Sequence, residues 1–384
     1  MTISPALLLK FNRNEQIQLQ EKCFESQENC DQLVEAFHKC LKEGDKYTTI
    51  QRSANGCTGF TFLCSVPANK INNQFSEQPL EFVLKWQNKT QCSVEKFGAK
   101  LFSQLGFPAP IPISLASDLS SRVAKMASKK CQSFSYTQEH DLIAMPKLHA
   151  SNFKEALKNN SVKKCSIQDQ AKIIKELGKI SAVDLVLANN DRLISFTSDP
   201  NDPFHQASKF NSGNVMLELD KSQEPYTFVK MYPIDNCPAP DLIVKGKVVE
   251  EEHEYALENL FNTEDDDWES EPYLEKIGEG PQVLSPEQVV DGYHQVFQKL
   301  ITNTDYVTTH AYQNIKKDIS DHTNTPQDYD NFLEMVQNKF KEGFLESLHD
   351  IKSFDFALDE STDKTSQYAV QLFLENLQNL KQNL

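Results

Sequence analysis

The apolar residues of this 384-residue chain change their period partway along it, and that change limits the architectures open to it. Residues 47–50, 60–66 and 80–86 are short runs rich in β-branched and aromatic side chains. Gly, Asn and Pro separate them, as turns separate strands. Over residues 91–105 the spacing becomes helical: Val94, Phe97, Gly98, Leu101, Phe102 and Leu105 share one face, and Gly106 then Pro108 stop the helix. Residues 142–145 read as a further strand. From Ser166 the helical period dominates. Ser166 and Asp169 have capping-box spacing, and Ile167, Ala171, Ile174, Leu177 and Ser181 follow on one face. Residues 215–217 and 228–232 interrupt as a short hairpin. Phe332, Leu333, Val336, Phe340, Phe344, Leu348 and Ile351 mark a later helix, and Phe373, Leu377 and Leu380 a last one. Residues 15–43 also read as helical. The expectation is an α+β, two-lobed protein: a β-rich lobe over residues 1–146 with a helical N-terminal extension, and a helical lobe over residues 147–384.

A net charge of -16 argues against general nucleic-acid binding, which needs a basic face, but leaves room for a local phosphate site. The nine cysteines are scattered, odd in number and without a CxxC pair, so neither a disulfide framework nor a zinc site is expected. They fit a reducing cytosol as small buried hydrophobes. His38, His140, His294 and His310 lack metal spacing and read as structural. Leu7, Leu8 and Leu9 have no basic flank or small-residue cleavage site, so no secretory signal is expected. No stretch reaches the ~18 apolar residues of a membrane span, so no transmembrane segment is expected.

Three features carry chemistry. Residues 53–59, with Ser53, Asn55, Gly56, Thr58 and Gly59, let backbone N–H groups approach phosphate oxygens; an ordinary hairpin turn is the alternative. Lys85 lies inside the apolar strand Phe82-Val83-Leu84-Lys85-Trp86, and Glu95 follows on the first turn of the next helix. An ammonium so placed can meet phosphates while the glutamate braces it, although a lone strand lysine also occurs at sheet edges. Asn190-Asp191-Arg192 ends the helix that starts at Ser166, Asn214 precedes one strand of the hairpin, and Asp235 follows the other. Two aspartates with an asparagine between them can orient a nucleophilic hydroxyl and hold a divalent metal against a triphosphate.

In that order, across residues 47–240, the chain resembles the protein-kinase superfamily in its atypical branch, near actin-fragmin kinase and the phosphoinositide-3/4-kinase-like enzymes. It is similar to a secreted effector kinase of Legionella. The resemblance implies a bilobal kinase-like fold and ATP as cofactor with Mg²⁺ or Mn²⁺. It implies that Lys85 contacts the ATP phosphates, Glu95 braces it, Asp191 is the catalytic aspartate, Asn214 and Asp235 bind the metal, and Met145 to Leu148 meet adenine. The pattern departs from a typical protein kinase in several places. Between Asp191 and Asn214 lie 22 residues, where about four are usual, and Asn211 competes with Asn214 for its role. No Asp-Phe-Gly follows Ile234, and residues 236–262 contain no Ser or Thr for activation-loop phosphorylation.

Control from elsewhere has a candidate in Arg122, Lys125, Lys129 and Lys130, with Lys158, Lys163 and Lys164 farther along. This basic cluster suits an inositol polyphosphate or phosphoinositide, with a solvated charged face as the alternative. The acidic residues 250–271 read as a flexible loop or as a docking strip for a basic substrate. The expected function is an atypical ATP-dependent serine/threonine kinase acting on a protein hydroxyl, with such an anion as its candidate regulator. A lipid or small-molecule kinase of the same fold, or a pseudokinase interaction module, are the alternatives. The expected location is cytosolic, or the cytoplasm of a host if the chain is a bacterial effector.

Overall fold

Side chains that alternate between apolar and polar along residues 79–88 suit a strand with one face covered, and they form the middle of an antiparallel sheet. The computed structural model describes residues 49–52, 60–67, 79–114, 140–192, 194, 197, 199–201, 203, 211–238, 285–320, 326–357 and 364–384. They divide into two compact units: Met1–Ala156 with Val215–Asn236, and Leu157–Asn214 with Cys237–Leu384.

In the first unit, β1 (Thr49–Arg52), β2 (Phe60–Pro67), β3 (Pro79–Asn88), β4 (Ile113–Ser114) and β5 (His140–Pro146) form a sheet in the order β1-β2-β3-β5-β4. The register sets Lys85 of β3 opposite Thr61 on β2 and Ile143 on β5. Leu84 and Trp86, its neighbours in sequence, are buried on the other face. Helix α1 (Lys89–Gln104) leaves β3 without a loop, and Cys92, Val94, Ala99, Leu101 and Phe102 form its buried stripe. Gly106 ends it with φ of 84°, a conformation that costs glycine nothing. A second sheet orders β6 (Ser151–Asn152), β7 (Val215–Asp220) and β8 (Thr227–Pro233). The sequence divides the chain once, near residue 146. The structure instead groups the β7–β8 hairpin with the first unit, since β7 pairs with β6, and ends that unit's leading segment at Ala156.

The second unit is helical. After α2 (Phe153–Lys158), which runs across the division, come α3 (Ile167–Leu187), a 3-10 turn over Ser212–Asn214, α4 (Pro286–Ile301), α5 (Thr304–Ser320), α6 (Pro326–Ser353) and α7 (Lys364–Asn383). Ser166 caps α3 as its spacing predicts, accepting from the Asp169 N–H at 3.1 Å. Helix α3 lies along α6, and two glycines permit the approach. A Cβ on Gly178 would sit 2.1 Å from the Phe340 carbonyl oxygen, and one on Gly343 would sit 2.0 Å from that of Lys175. Ile173, Ile174, Leu177, Phe340, Phe344 and Leu348 fill the seam. At its rim Lys175 bonds Glu342 at 2.9 Å and Glu346 at 2.5 Å, an exposed network that contributes little. Helix α7 packs on α4 and on α3. Ser285 and Gln288 form a full capping box at the start of α4. No described helix is long and apolar enough to cross a membrane.

Candidate functional site

In the first unit the chemistry gathers on Lys85. Its ammonium donates to Glu95 Oε1 at 3.0 Å and to Asp235 Oδ1. The second Glu95 oxygen accepts from Gln87 Nε2 at 2.7 Å, so both oxygens of this buried carboxylate are engaged. Glu95 sits in the second turn of α1 rather than the first, because the helix begins at Lys89. The alternation of β3 explains the pairing: Lys85 and Gln87 are two apart and point to the same face, where both reach one glutamate. Gln87 was missed; a second polar residue at i+2 in an apolar strand was the available signal.

Asp235 follows β8 in the left-handed region, with φ of 54°, which aspartate tolerates better than most residues. Its neighbour Asn236 is buried, and its side chain donates to the Pro233 carbonyl at 3.0 Å. Gly98 of α1 lets this turn approach: a Cβ there would lie 2.0 Å from the Asn236 carbonyl oxygen. One ammonium between two carboxylates leaves the group with net negative charge. With 38% of its side chain exposed against 4% for Glu95, Asp235 is the carboxylate that a cation can reach.

Of the adenine-contact candidates, Met145 is buried on β5 and Leu148 is half-buried beyond it. Between them, the Lys147 N–H is spent on the Glu81 carbonyl at 3.0 Å, and its ammonium bonds the Glu81 carboxylate at 2.8 Å. Ser53, Asn55, Gly56, Thr58 and Gly59 lie outside the described residues. So do Arg122, Lys125, Lys129 and Lys130, the 15–43 helix and the acidic 250–271 segment. Lys158, Lys163 and Lys164 are exposed.

In the second unit the chemistry gathers on the loop after α3. Ala188 closes the helix with φ of 56°, and the Asn189 N–H returns to the Asp184 carbonyl at 2.8 Å, a Schellman turn built without glycine. The loop is then tied to the helix by side chains. Asp184 Oδ1 accepts from Asn189 Nδ2 at 2.9 Å and from Arg192 Nη1 at 2.5 Å. Asn189 Oδ1 accepts from the Asp191 N–H at 3.4 Å. Arg192 Nε donates to the Asn214 carbonyl at 3.2 Å, and the Asn211 N–H to the Arg192 carbonyl at 2.9 Å. Asp184 and Arg192 are both fully buried, and burial pushes the Asp184 carboxyl up to about 6 against the opposing pull of Arg192 and Asn189. Their roles were missed, although a lone carboxylate in the apolar run Val183-Asp184-Leu185 was a signal.

With its neighbours tethered, Asp191 is left exposed. Asn214 Nδ2 donates to Asp191 Oδ2 at 3.1 Å and to the Asp191 carbonyl at 3.0 Å. Asn211 Nδ2 reaches Asp191 Oδ1 at 3.3 Å, so both asparagines that competed in the sequence reading are brought to the same aspartate. The amide nitrogen of Asn214 is committed to Asp191 and its backbone carbonyl to Arg192, which leaves the side-chain Oδ1 as the atom for ligation. An amide oxygen and a carboxylate are both hard donors of the kind Mg²⁺ and Mn²⁺ take, so Asn214 in the second unit and Asp235 in the first are each of a type that fits such an ion. Among the described residues no three His, Cys, Asp or Glu side chains form a metal cluster. Cys92, Cys165 and Cys237 form no disulfide. His294 is engaged with Asn376, and burial lowers the pKa of His310.

No family model and no curated protein matches the sequence. Among solved structures the chain is similar to the crystal structure of a Helicobacter pylori proinflammatory kinase, CtkA. Identity is 10% over 85% of this chain and 98% of that one, with a TM-score of 0.27, a superposition too loose to transfer any residue's role.

Proposed function

We propose that this chain is an atypical ATP-dependent kinase of bilobal design. The observation that carries the reading is the Lys85 group: a strand lysine held by a buried helix glutamate, with a half-exposed aspartate on the same ammonium. A buried ion pair is costly to build and adds little stability, so its retention beside an accessible carboxylate suits a binding task. Lys85 would meet the ATP phosphates, with Glu95 and Gln87 fixing where its ammonium points. Asp235 and Asn214 would hold Mg²⁺ or Mn²⁺, which when bound neutralises phosphate charge. Asp191, exposed and held by two asparagine amides, would orient the acceptor hydroxyl. The resemblance favours a protein Ser or Thr as that acceptor. An inositol polyphosphate or phosphoinositide on the basic residues that include Lys158, Lys163 and Lys164 would be the means of control.

The test is incubation with labelled ATP and Mg²⁺ or Mn²⁺, with protein, lipid and small-alcohol acceptors, with and without inositol hexakisphosphate. Wild type should transfer label, while Asp191→Ala and Asp235→Ala should each lose at least a hundredfold in rate and keep their circular-dichroism spectra. Asp235→Ala should also lose metal-dependent nucleotide binding. Equal transfer by wild type and both variants would reject these roles. Nucleotide binding without transfer to any acceptor would identify a pseudokinase.

A further inference from the structure

The C-terminal helices are tied to the loop that bears Asp191 at two points, both within the second unit. In the loop itself, Asn190 Nδ2 donates to the hydroxyl of Tyr293 at 3.0 Å, 103 residues away on α4. Tyr293 is completely buried, so its ring is fixed by packing and its hydroxyl is a stationary acceptor. One turn below, in the last turn of α3, the Val186 carbonyl accepts from Asn376 Nδ2 at 3.0 Å, from α7. Asn376 is also completely buried. Its Oδ1 faces His294 Nδ1 at 2.9 Å, and Gln298 Nε2 stands 2.8 Å from His294 Nε2.

The chain has one consistent direction. Because Asn376 Nδ2 is the donor to Val186, its Oδ1 is the acceptor, so His294 Nδ1–H donates to it while His294 Nε2 lies beside the Gln298 amide. The polar groups that α4 and α7 bury here are spent on the exit of α3 and on the residue before Asp191. Helix packing needs no buried tyrosine hydroxyl or asparagine amide, and burying them is costly unless they find partners.

We propose that Tyr293 is a positioning residue for Asp191, and that α4 and α7, through Tyr293 and the Gln298–His294–Asn376 relay, are working parts of the phosphotransfer loop rather than an appended module. Tyr293 bonds Asn190, Asn189 bonds the Asp191 N–H, and Arg192 bonds Asp184. The residues on both sides of Asp191 are therefore held while its carboxylate remains accessible. This rests on the kinase reading for the role of Asp191, but not for the mechanical claim.

The 384-residue chain carrying Tyr293→Phe tests it, since phenylalanine keeps the ring and removes only the hydroxyl. Two measurements are made on wild type and variant: amide hydrogen exchange of residues 188–192, and single-turnover transfer from labelled ATP. Exchange in that segment should quicken about five- to tenfold, the worth of one neutral hydrogen bond. The transfer rate should fall by a similar factor, with the KM for ATP unchanged and the melting temperature lower by only a few degrees. Asn376→Leu, which removes the bond to Val186, should quicken exchange at the same segment. Unchanged exchange at 188–192 in both variants would overturn the proposal, as would a lowered melting temperature with an unaltered transfer rate. If the wild type transferred no phosphate, the kinase reading would fall and loop exchange would decide the positioning claim.

Discussion

Replacing Gly98 by alanine should damage both the stability of the first unit and the placement of Asp235. In an unobstructed helix interior this change stabilises by about 1 kcal/mol, because alanine forgoes less backbone freedom than glycine. Here the new methyl would lie 2.0 Å from the Asn236 carbonyl oxygen, where Cβ contacts below 3.0 Å essentially never occur. The obstacle is backbone, and it cannot swing aside as a side chain tip can. Asn236 is 1% exposed and its side chain is bonded to the Pro233 carbonyl, so the turn must move as a body by about an ångström or α1 must shift away from it. Overpacking of this kind costs about 3 kcal/mol, which after the helical gain leaves a net loss of about 2 kcal/mol. Asp235 rides on the same turn, next in sequence to Asn236. A displacement of about 1 Å at a positioned catalytic group can cost roughly a hundredfold in rate. Urea unfolding of wild type and Gly98→Ala measures the first quantity, and metal-dependent nucleotide binding and label transfer the second. A variant that is more stable than wild type, with full nucleotide binding, would refute the close approach and the coupling drawn from it.

Gly343→Ala offers a parallel test at the α3–α6 seam, where the added methyl would meet the Lys175 carbonyl oxygen at 2.0 Å. A net loss of about 2 kcal/mol is expected in denaturant unfolding, without any specific effect on nucleotide binding. Asp184 predicts a pH dependence. Burial raises its folded pKa to about 6, above the 3.8 of an ordinary aspartate, so between these values the native state binds more protons than the unfolded one. Its contribution to stability is therefore fully present below about pH 4 and is lost as the pH rises through about 6, by up to about 3 kcal/mol. Unfolding free energies of wild type and Asp184→Asn, compared from pH 4 to 7, should show wild type losing ground to the variant over this range. A difference that is constant with pH would contradict it.

Much of the secondary structure was legible because it is a short-range property. The strand at 80–86, the helix at 91–105, the capped helix from Ser166 and the hairpin around Asn214 and Asp235 all lie within a few residues of their expected bounds. Period 2 and period 3.6 are written in neighbouring residues, and so are caps and stops. The candidate site residues could also be named, since a lysine inside an apolar strand and an aspartate at a helix exit break a pattern locally. Their partners were less accessible. Glu95 was named as the brace of Lys85, but not Gln87, which takes the other carboxylate oxygen. Asp184 passed as one more helical residue, although it holds Arg192 at the base of the loop.

What the chain order does not contain is the choice among chemically equivalent partners. Any of the 55 acidic residues could neutralise Lys85; topology selects Glu95, 10 positions away, and Asp235, 150 away. Tyr293 finds Asn190 across 103 positions, and Asn376 finds Val186 across 190. A hydrogen bond reaches about 3 Å, so it forms only where strand register, helix crossing and glycine gaps have already brought two distant segments together. Periodicity therefore determined the elements and the residue types that could act. Packing determined which of them meet, and the close backbone approaches allowed by Gly98, Gly178 and Gly343 are where that packing leaves the least freedom.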